Sequence, residues 1–231
     1  MAINRILRQE RKFLLNSEEY IVYKNKFSRI FGEDKHNGIN GYTVRSLYFD
    51  TIWDRDLWNK LDGIETRRKL RLRIYDPDTP FVLFEMKQKQ GSNQLKRSLQ
   101  ITREDAAGII QGQYQLLLKY KEDFAKECYG VLVMNTYRPK IIIEYQRRAF
   151  VLKENNIRIT FDNQIKATSF CNHFFEKQGP YYPVMHPASA VLEVKYNNFL
   201  LSYVKDILDQ CNKSEIAISK YALARQRKSI F

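Results

Sequence analysis

The chain is short of the residues on which several familiar chemistries depend. Its 231 residues include three cysteines, Cys128, Cys171 and Cys211, and none of them forms a CxxC pair. An odd, scattered set argues against a disulfide framework and for a reduced protein. The three histidines, His36, His173 and His186, lack the spacing of zinc ligands. No GxxxxGK[ST], GxGxxG or GxSxG occurs. That removes the P-loop, the dinucleotide-binding fingerprint and the hydrolase nucleophile elbow. Long apolar runs are also missing. Val131–Met134 and Ile141–Ile143 fall far short of the roughly 20 residues a membrane helix needs. Residues 1–15 carry Arg5, Arg8, Arg11 and Lys12 with no apolar core, so no secretory signal is expected. These absences lead us to expect a soluble, cytoplasmic protein with no transmembrane segment.

Acidic residues are the last shortage. There are 26 Asp and Glu against 39 Lys and Arg, a net charge of +13 and a pI near 9.6. Such an excess calls for an anionic partner: nucleic acid, an acidic membrane surface or phosphate compounds. A basic surface kept for solubility is the plainer alternative. The apolar fraction of 44% is ordinary for a packed domain, and no linker or repeat divides the chain, so one domain over 1–231 is expected.

The charges are placed with a period of two. Lys69-Leu70-Arg71-Leu72-Arg73-Ile74 alternates cation with aliphatic, and Phe84-Glu85-Met86-Lys87 continues the pattern. Arg8-Gln9-Glu10-Arg11-Lys12, Arg158-Ile159-Thr160-Phe161-Asp162 and Leu192-Glu193-Val194-Lys195 do the same. Side chains of a strand alternate between its faces. A sheet built from these segments has one greasy face and one face of Arg, Lys and a few Glu.

The rest of the pattern predicts strands at 5–15, 42–50, 67–76, 81–89, 94–101, 138–145, 148–153, 158–162 and 190–196. Asn16-Ser17-Glu18-Glu19 opens a helix to about Phe31. A short helix follows over 51–61. Thr102-Arg103-Glu104-Asp105 has the form of a capping box, with helix to about Lys126 and a break near Gly112. Residues 168–188 look irregular. Leu200, Tyr203, Val204, Ile207, Leu208 and Cys211 mark an amphipathic helix, and 219–228 a short basic one. Eight or nine strands with helices between them suggest α+β. About eight strands is also the size at which a closed antiparallel barrel holds side chains or one slender ligand. Such a barrel turns the charged face inward and leaves its greasy outside to be covered by helices.

By parity the charged face collects Arg8, Lys12, Lys69, Arg71, Arg73, Lys87, Lys89, Lys96, Arg138, Arg158 and Lys195, with Glu10, Glu85 and Glu193 among them. Two cations ~8 Å apart repel by roughly 2 kcal/mol at an effective dielectric of 20. A confined cluster of them needs an anion. Phosphate suits, since Arg grips it bidentately and Lys as a point charge. The carboxylates allow two readings. They are ion-pair partners, or they hold Mg²⁺ or Mn²⁺, which take one or two carboxylates together with phosphate oxygens. The surplus of cations favours the second. Single-stranded nucleic acid is disfavoured, because its binders stack bases on aromatics among the basic residues. Here Phe84, Phe161 and Tyr196 fall on the greasy face.

Taken in order, Arg8-x-Glu10-x-Lys12, Tyr48-Phe49-Asp50, Lys69-Leu-Arg71-Leu-Arg73, Glu85-Met-Lys87, Tyr137-Arg138-Pro139, Arg158-Ile-Thr160-Phe-Asp162, Leu192-Glu193-Val-Lys195-Tyr196 and Ser219-Lys220-Tyr221 resemble the catalytic domain of the vacuolar transporter chaperone (VTC) polyphosphate polymerases. These belong to the triphosphate tunnel metalloenzymes. The resemblance implies a closed tunnel in which the γ-phosphate of ATP or another nucleoside triphosphate passes to a growing inorganic polyphosphate chain, with Mn²⁺ or Mg²⁺. It implies catalytic roles for Lys12, Arg71, Arg73, Lys87 and Lys220, and phosphate binding by Arg8, Lys96, Arg138, Arg158 and Lys195. It implies metal binding by Glu193, with Glu10 and Glu85 beside it. The superfamily's hydrolases and cyclases open on Glu-x-Glu-x-Lys, and Arg8 in the first place favours the polymerase branch. Hydrolysis of tripolyphosphate, and a non-catalytic module binding polyphosphate or nucleic acid, are the alternatives.

Overall fold

The structure is a computed structural model that describes residues 8–91, 93–210 and 215–227. It is α+β. Its strands are β1 (Arg8–Leu15), β2 (Gly32–Glu33), β3 (Tyr42–Thr51), β4 (Arg67–Ile74), β5 (Phe81–Gln90), β6 (Asn93–Thr102), β7 (Tyr137–Leu152), β8 (Ile157–Thr168), β9 (Tyr182–Pro183) and β10 (Ala190–Asn197). Its α-helices are α1 (Ser17–Ile30), α2 (Arg55–Leu61), α3 (Arg103–Ile110), α4 (Asp123–Met134), α5 (Ser202–Asp209) and α6 (Lys220–Gln226). No helix among the described residues is long and apolar enough to cross a membrane.

The strands hydrogen-bond in the order β1-β10-β8-β7-β3-β4-β5-β6, with β2 on β7 and β9 on β8. β1 and β6 stand at the two ends of this order, and among the described residues no strand pairing joins them. The expected closed barrel is therefore not what strand pairing gives; it gives a large antiparallel sheet. One reason is local to β1. Its outer edge is met at the Lys12 carbonyl by the Ile216 amide, 2.9 Å away, from a segment that is not a strand.

Two compact units are distinguishable, each assembled from separate stretches of chain. The first comprises residues up to Thr43, Tyr145–Ile165 and Met185–Ile218. Here β1, β10 and β8 turn Phe13, Leu15, Ile159, Phe161, Leu192, Val194 and Tyr196 onto one face. α1 contributes Tyr23 and Phe27 to the same core, and α5 contributes Val204 and Leu208, so both expected amphipathic helices cover the greasy face. Burying one such Phe or Leu is worth about 1.5–3 kcal/mol. α1 starts at a complete capping box: the Asn16 side chain accepts from the Glu19 amide at 2.9 Å, and Glu19 accepts from the Asn16 amide at 2.8 Å. Gly41, at φ 85°, passes so close to the Arg147 carbonyl that a Cβ would overlap it.

The second unit comprises Val44–Glu144, Lys166–Val184 and the residues from Ser219 onward. Leu70, Leu72, Phe84, Met86, Leu99 and Ile101 of β4–β6 form its core against Ile109 of α3 and Ala125, Cys128 and Leu132 of α4. Thr102 caps α3 by accepting from the Asp105 amide at 3.2 Å. The second half of the expected box is absent, because the Asp105 carboxylate is taken by Lys119 at 2.7 Å and by the Tyr120 hydroxyl at 2.8 Å.

Several boundaries move. α4 runs on to Met134, eight residues past the expected end. The strands expected at 138–145 and 148–153 are one strand, β7. β8 continues to Thr168. Residues 5–7, Ser92, Cys211 and Lys228 lie outside the described residues.

Candidate functional site

The alternation of charge holds in both units, and it builds a polar array in each. In the second unit three strands place Tyr48, Arg71 and Glu85 directly opposite one another, with Ser98 next in the row. Arg71 donates from Nη1 to the Tyr48 hydroxyl at 3.0 Å, and its Nε lies 2.6 Å from Glu85 Oε2. The guanidinium also stands over the Tyr48 ring. Arg73 reaches the same Glu85 oxygen at 3.7 Å and donates to Ser46 Oγ at 3.2 Å. Lys96 pairs with the other oxygen of Glu85. One carboxylate, 2% exposed, thus holds three cations.

The neighbouring row is Lys69, Lys87 and Lys96, three lysines directly opposite one another on β4, β5 and β6. Like charges in that relation destabilise a sheet. Lys69 donates to Ser219 Oγ at 2.9 Å. Glu85 is the only carboxylate on this face of β4, β5 and β6 among the described residues.

Two ionisable groups register the resulting field. Burial acts to raise the Glu85 carboxyl, but Arg71, Arg73 and Lys96 outweigh it and hold the group at about 2. Burial likewise acts to raise the Tyr48 phenol. Arg71, Arg73 and Lys220 outweigh it, and the hydroxyl ionises more readily than an ordinary tyrosine.

In the first unit the rows are Glu10, Lys195 and Arg158, and then Lys12, Glu193 and Thr160, across β1, β10 and β8. Lys12 Nζ sits 2.5 Å from Glu10 and 3.8 Å from Glu193, so one ammonium touches both carboxylates. Lys195 pairs with Glu193. Burial lowers the Lys195 ammonium below the usual lysine range, although Glu193 and Glu10 pull it upward. Arg158 turns its head to Asp34 at 2.9 Å and to the Tyr42 hydroxyl at 3.1 Å. Arg147 grips Asp162 with two bonds of 2.7 and 2.8 Å.

The donor set suits a hard divalent cation that shares its shell with phosphate. Glu10 and Glu193 are close enough to share Lys12. The Thr160 hydroxyl, paired with Glu193 across the strands and 2% exposed, has no hydrogen-bond partner among the described residues. No group of three or more His, Cys, Asp or Glu is gathered among the described residues, so an all-protein cage is not present there. Mg²⁺ characteristically takes one or two carboxylates and completes its shell with water and substrate phosphate. Glu85 belongs to the second unit, where its oxygens meet Arg71, Arg73 and Lys96; those of Glu193 meet Lys12 and Lys195 in the same way.

Of the sequence-derived candidates, Arg71, Arg73, Glu85, Lys87 and Lys96 share one face of the second unit, where Lys220 acts on Tyr48. Glu10, Lys12, Arg158, Glu193 and Lys195 share two rows of the first. Arg138 joins neither array. It lines a separate cavity of about 620 Å³ between the C-terminal ends of α3 and α4, beside Ile110, Tyr114 and Val133. Arg138 is exposed there, while its neighbour Tyr137 is buried in the apolar core. For Arg8 only the backbone, paired with Asn197, is described.

Arg147 and Ser46 were not singled out from the sequence, and Tyr48 was named only within the Tyr48-Phe49-Asp50 motif, without a role. Gln146-Arg147 looks like a gap between two strands, whereas the unbroken β7 carries Arg147 to Asp162. Tyr48 and Ser46 alternate with Leu47 and Phe49 on β3, a period-two signal that uncharged residues make hard to see.

A model of the VTC domain family matches residues 7–227. The chain belongs to the VTC domain family. The match takes in every described element of both units, and this VTC chain also resembles solved structures at low identity. A Bacillus halodurans protein described provisionally as an adenylate cyclase is 14% identical, with 92% of this chain and 95% of that one covered and a TM-score of 0.49. A Pyrococcus horikoshii protein is 12% identical, with 95% and 98% covered and a TM-score of 0.48. No curated protein matches the chain.

Proposed function

We propose that this VTC chain is a metal-dependent polyphosphate polymerase, which passes the γ-phosphate of ATP or another nucleoside triphosphate to the end of an inorganic polyphosphate chain. The observation that carries this reading is the row Lys69–Lys87–Lys96 beside Arg71 and Arg73, with Glu85 as the one carboxylate among them. Five cations so arranged are costly unless a polyanion neutralises them. Membership of the VTC family, and the divalent metals its superfamily generally uses, support the same reading.

Phosphoryl transfer asks a protein mainly for positioning and charge neutralisation. The bond from the γ-phosphorus to the β-phosphate oxygen breaks, a terminal oxygen of the polyphosphate forms the new bond, and the nucleoside diphosphate leaves. That terminal oxygen is already anionic, so no general base is required. Arg71 and Arg73 would hold non-bridging oxygens in fixed orientation, and Lys69, Lys87, Lys96 and Lys220 would neutralise successive phosphates. Lys12, Lys195 and Arg158 would do the same in the first unit. A divalent cation, Mn²⁺ or Mg²⁺, held by Glu193 and Glu10, would supply further neutralisation of phosphate bound in that unit.

A single catalytic domain and a tunnel that closes around the phosphate chain are parts of this proposal, carried by the family resemblance rather than by strand pairing. A cytoplasmic location, with nucleoside triphosphate and divalent metal at hand, accords with it. The test is the fate of label from γ-³²P-ATP in the presence of Mn²⁺ or Mg²⁺. Label in acid-precipitable polymer supports the polymerase; label only in free phosphate makes the protein a triphosphate hydrolase instead.

A further inference from the structure

Asp50 and Tyr221 are 171 residues apart in sequence and 2.6 Å apart in the second unit, where the Tyr221 hydroxyl donates to Asp50 Oδ2. The two segments around them also meet through their rings. Tyr48 and Tyr221 stack with centroids 5.3 Å apart and planes 26° from parallel. Asp50 is fully buried and accepts three more bonds, from the amides of Thr51 at 2.7 Å and of Asp56 and Leu57 at 2.9 Å each. It therefore closes the first turn of α2 and ties α6 to that turn with the same carboxylate. A carboxylate saturated by donors is a rigid anchor.

A second tie lies four residues further along the chain at both ends. Asp54 takes Arg225 through two bonds of 3.0 and 2.7 Å, and Lys140 at 2.8 Å. Arg225 also donates to the Tyr221 hydroxyl at 3.3 Å. Tyr221 and Arg225 are i and i+4, on one face of α6. Asp54 is held at φ 56°, in the left-handed region that a non-glycine residue adopts at a cost. A helix of seven residues has little stability of its own, so α6 is held by these ties together with its buried Tyr221, Ala222 and Ala224.

What α6 carries is the Ser219-Lys220 pair. Ser219 caps the helix by accepting from the Ala222 amide at 3.4 Å and receives Lys69 at 2.9 Å. Lys220 lies between Ser219, which receives Lys69, and Tyr221, whose ring stacks on Tyr48; with Arg71 and Arg73 it favours ionisation of the Tyr48 hydroxyl. Lys220 and those arginines are like charges brought to one place.

We propose that Asp50 and Asp54 are positioning residues that clamp α6, through Tyr221 and Arg225, so that Lys220 is held ready at the phosphate-binding face of β3, β4 and β5. The inference rests on the reading of that face as a phosphate site. It accounts for the pairing of Tyr48-Phe49-Asp50 with Ser219-Lys220-Tyr221, which serves neither phosphate contact nor core packing alone. The clamp acts before substrate arrives, so binding energy is not consumed in ordering Lys220.

The experiment is a mutant cycle on inorganic tripolyphosphate binding, read by calorimetry without turnover. Lys220→Ala is made in the wild-type protein and in a Tyr221→Phe/Arg225→Gln protein, which keeps the stacked ring and breaks both ties. Lys220→Ala should weaken binding about tenfold with the clamp intact and less than about twofold with it broken. Arg225→Lys, which keeps a charge opposite Asp54, should restore part of the difference. An equal loss in both backgrounds overturns the clamp while leaving the phosphate site standing. A wild-type protein that binds no tripolyphosphate overturns both. If the double variant does not fold, Tyr221→Phe alone supplies the same comparison.

Discussion

Arg71 and Glu85 stand directly opposite each other on neighbouring strands, with the guanidinium Nε 2.6 Å from the carboxylate. Arg73 and Lys96 converge on the same group, so one buried anion organises three cations.

That arrangement sets an acid limit on stability. The Glu85 carboxyl is held at about 2 when folded and has an ordinary value of 4.5 when unfolded. The folded chain therefore binds the proton less readily. Its contribution is fully present above pH 4.5 and is lost as pH falls toward 2, up to about 3 kcal/mol in all. Urea titrations of wild type and Glu85→Gln across this range check it: the wild type should lose stability steeply, and the variant should start lower and change less.

Asp56 has the opposite sign. Burial raises its carboxyl, against a 2.7 Å bond from the Tyr137 hydroxyl and with help from nearby Asp50, from 3.8 to about 7. The folded chain keeps a proton that the unfolded chain has released. Its stabilising effect is present below pH 3.8 and fades as pH rises through 7, by roughly 4 kcal/mol at most. Asp56→Asn should flatten the decline in the urea midpoint between about pH 4 and pH 7. An unchanged slope would place the proton elsewhere.

Charge removal should separate the arrays from the rest of the surface. Arg71→Ala and Lys220→Ala should each weaken polyphosphate binding and slow turnover about tenfold or more, with thermal unfolding still cooperative. Arg138→Ala should change both by less than about twofold, since Arg138 lines a different cavity. A loss on Arg138→Ala equal to that on Arg71→Ala would contradict the assignment.

Metal dependence should reside in the first unit. Glu193→Gln removes one of the two carboxylates that share Lys12 and should cut turnover by about a hundredfold or more. Tripolyphosphate binding measured in EDTA should persist. Full activity in Glu193→Gln would remove the carboxylate from the proposal.

Much of this was legible from period-two charge placement alone. Arg71, Glu85 and Lys87, like Glu10, Lys12, Glu193 and Lys195, share faces because a strand leaves them no alternative. Phe84, Phe161 and Tyr196 go to the apolar side for the same reason. Registers are another matter. Nothing local announces that Lys69, Lys87 and Lys96 fall in one row, or that Tyr48 meets Arg71, because pairing depends on turn lengths and on strands distant in sequence. That Arg138 lines a cavity with Tyr114 and Val133 was equally invisible, since those residues come from other elements. The sheet's open order was hidden too, since strand count permits closure without requiring it. The bond between Asp50 and Tyr221 joins residues 171 apart in sequence, and it can be seen only once both elements are in place.

The most direct test resolves product length on a gel after incubation with ATP and either Mn²⁺ or Mg²⁺, for wild type and for Arg71→Ala/Arg73→Ala. A ladder of polyphosphate from the wild type, absent or severely shortened in the variant, is the result this account predicts. No ladder with either metal, or one that survives unchanged in the variant, would contradict it.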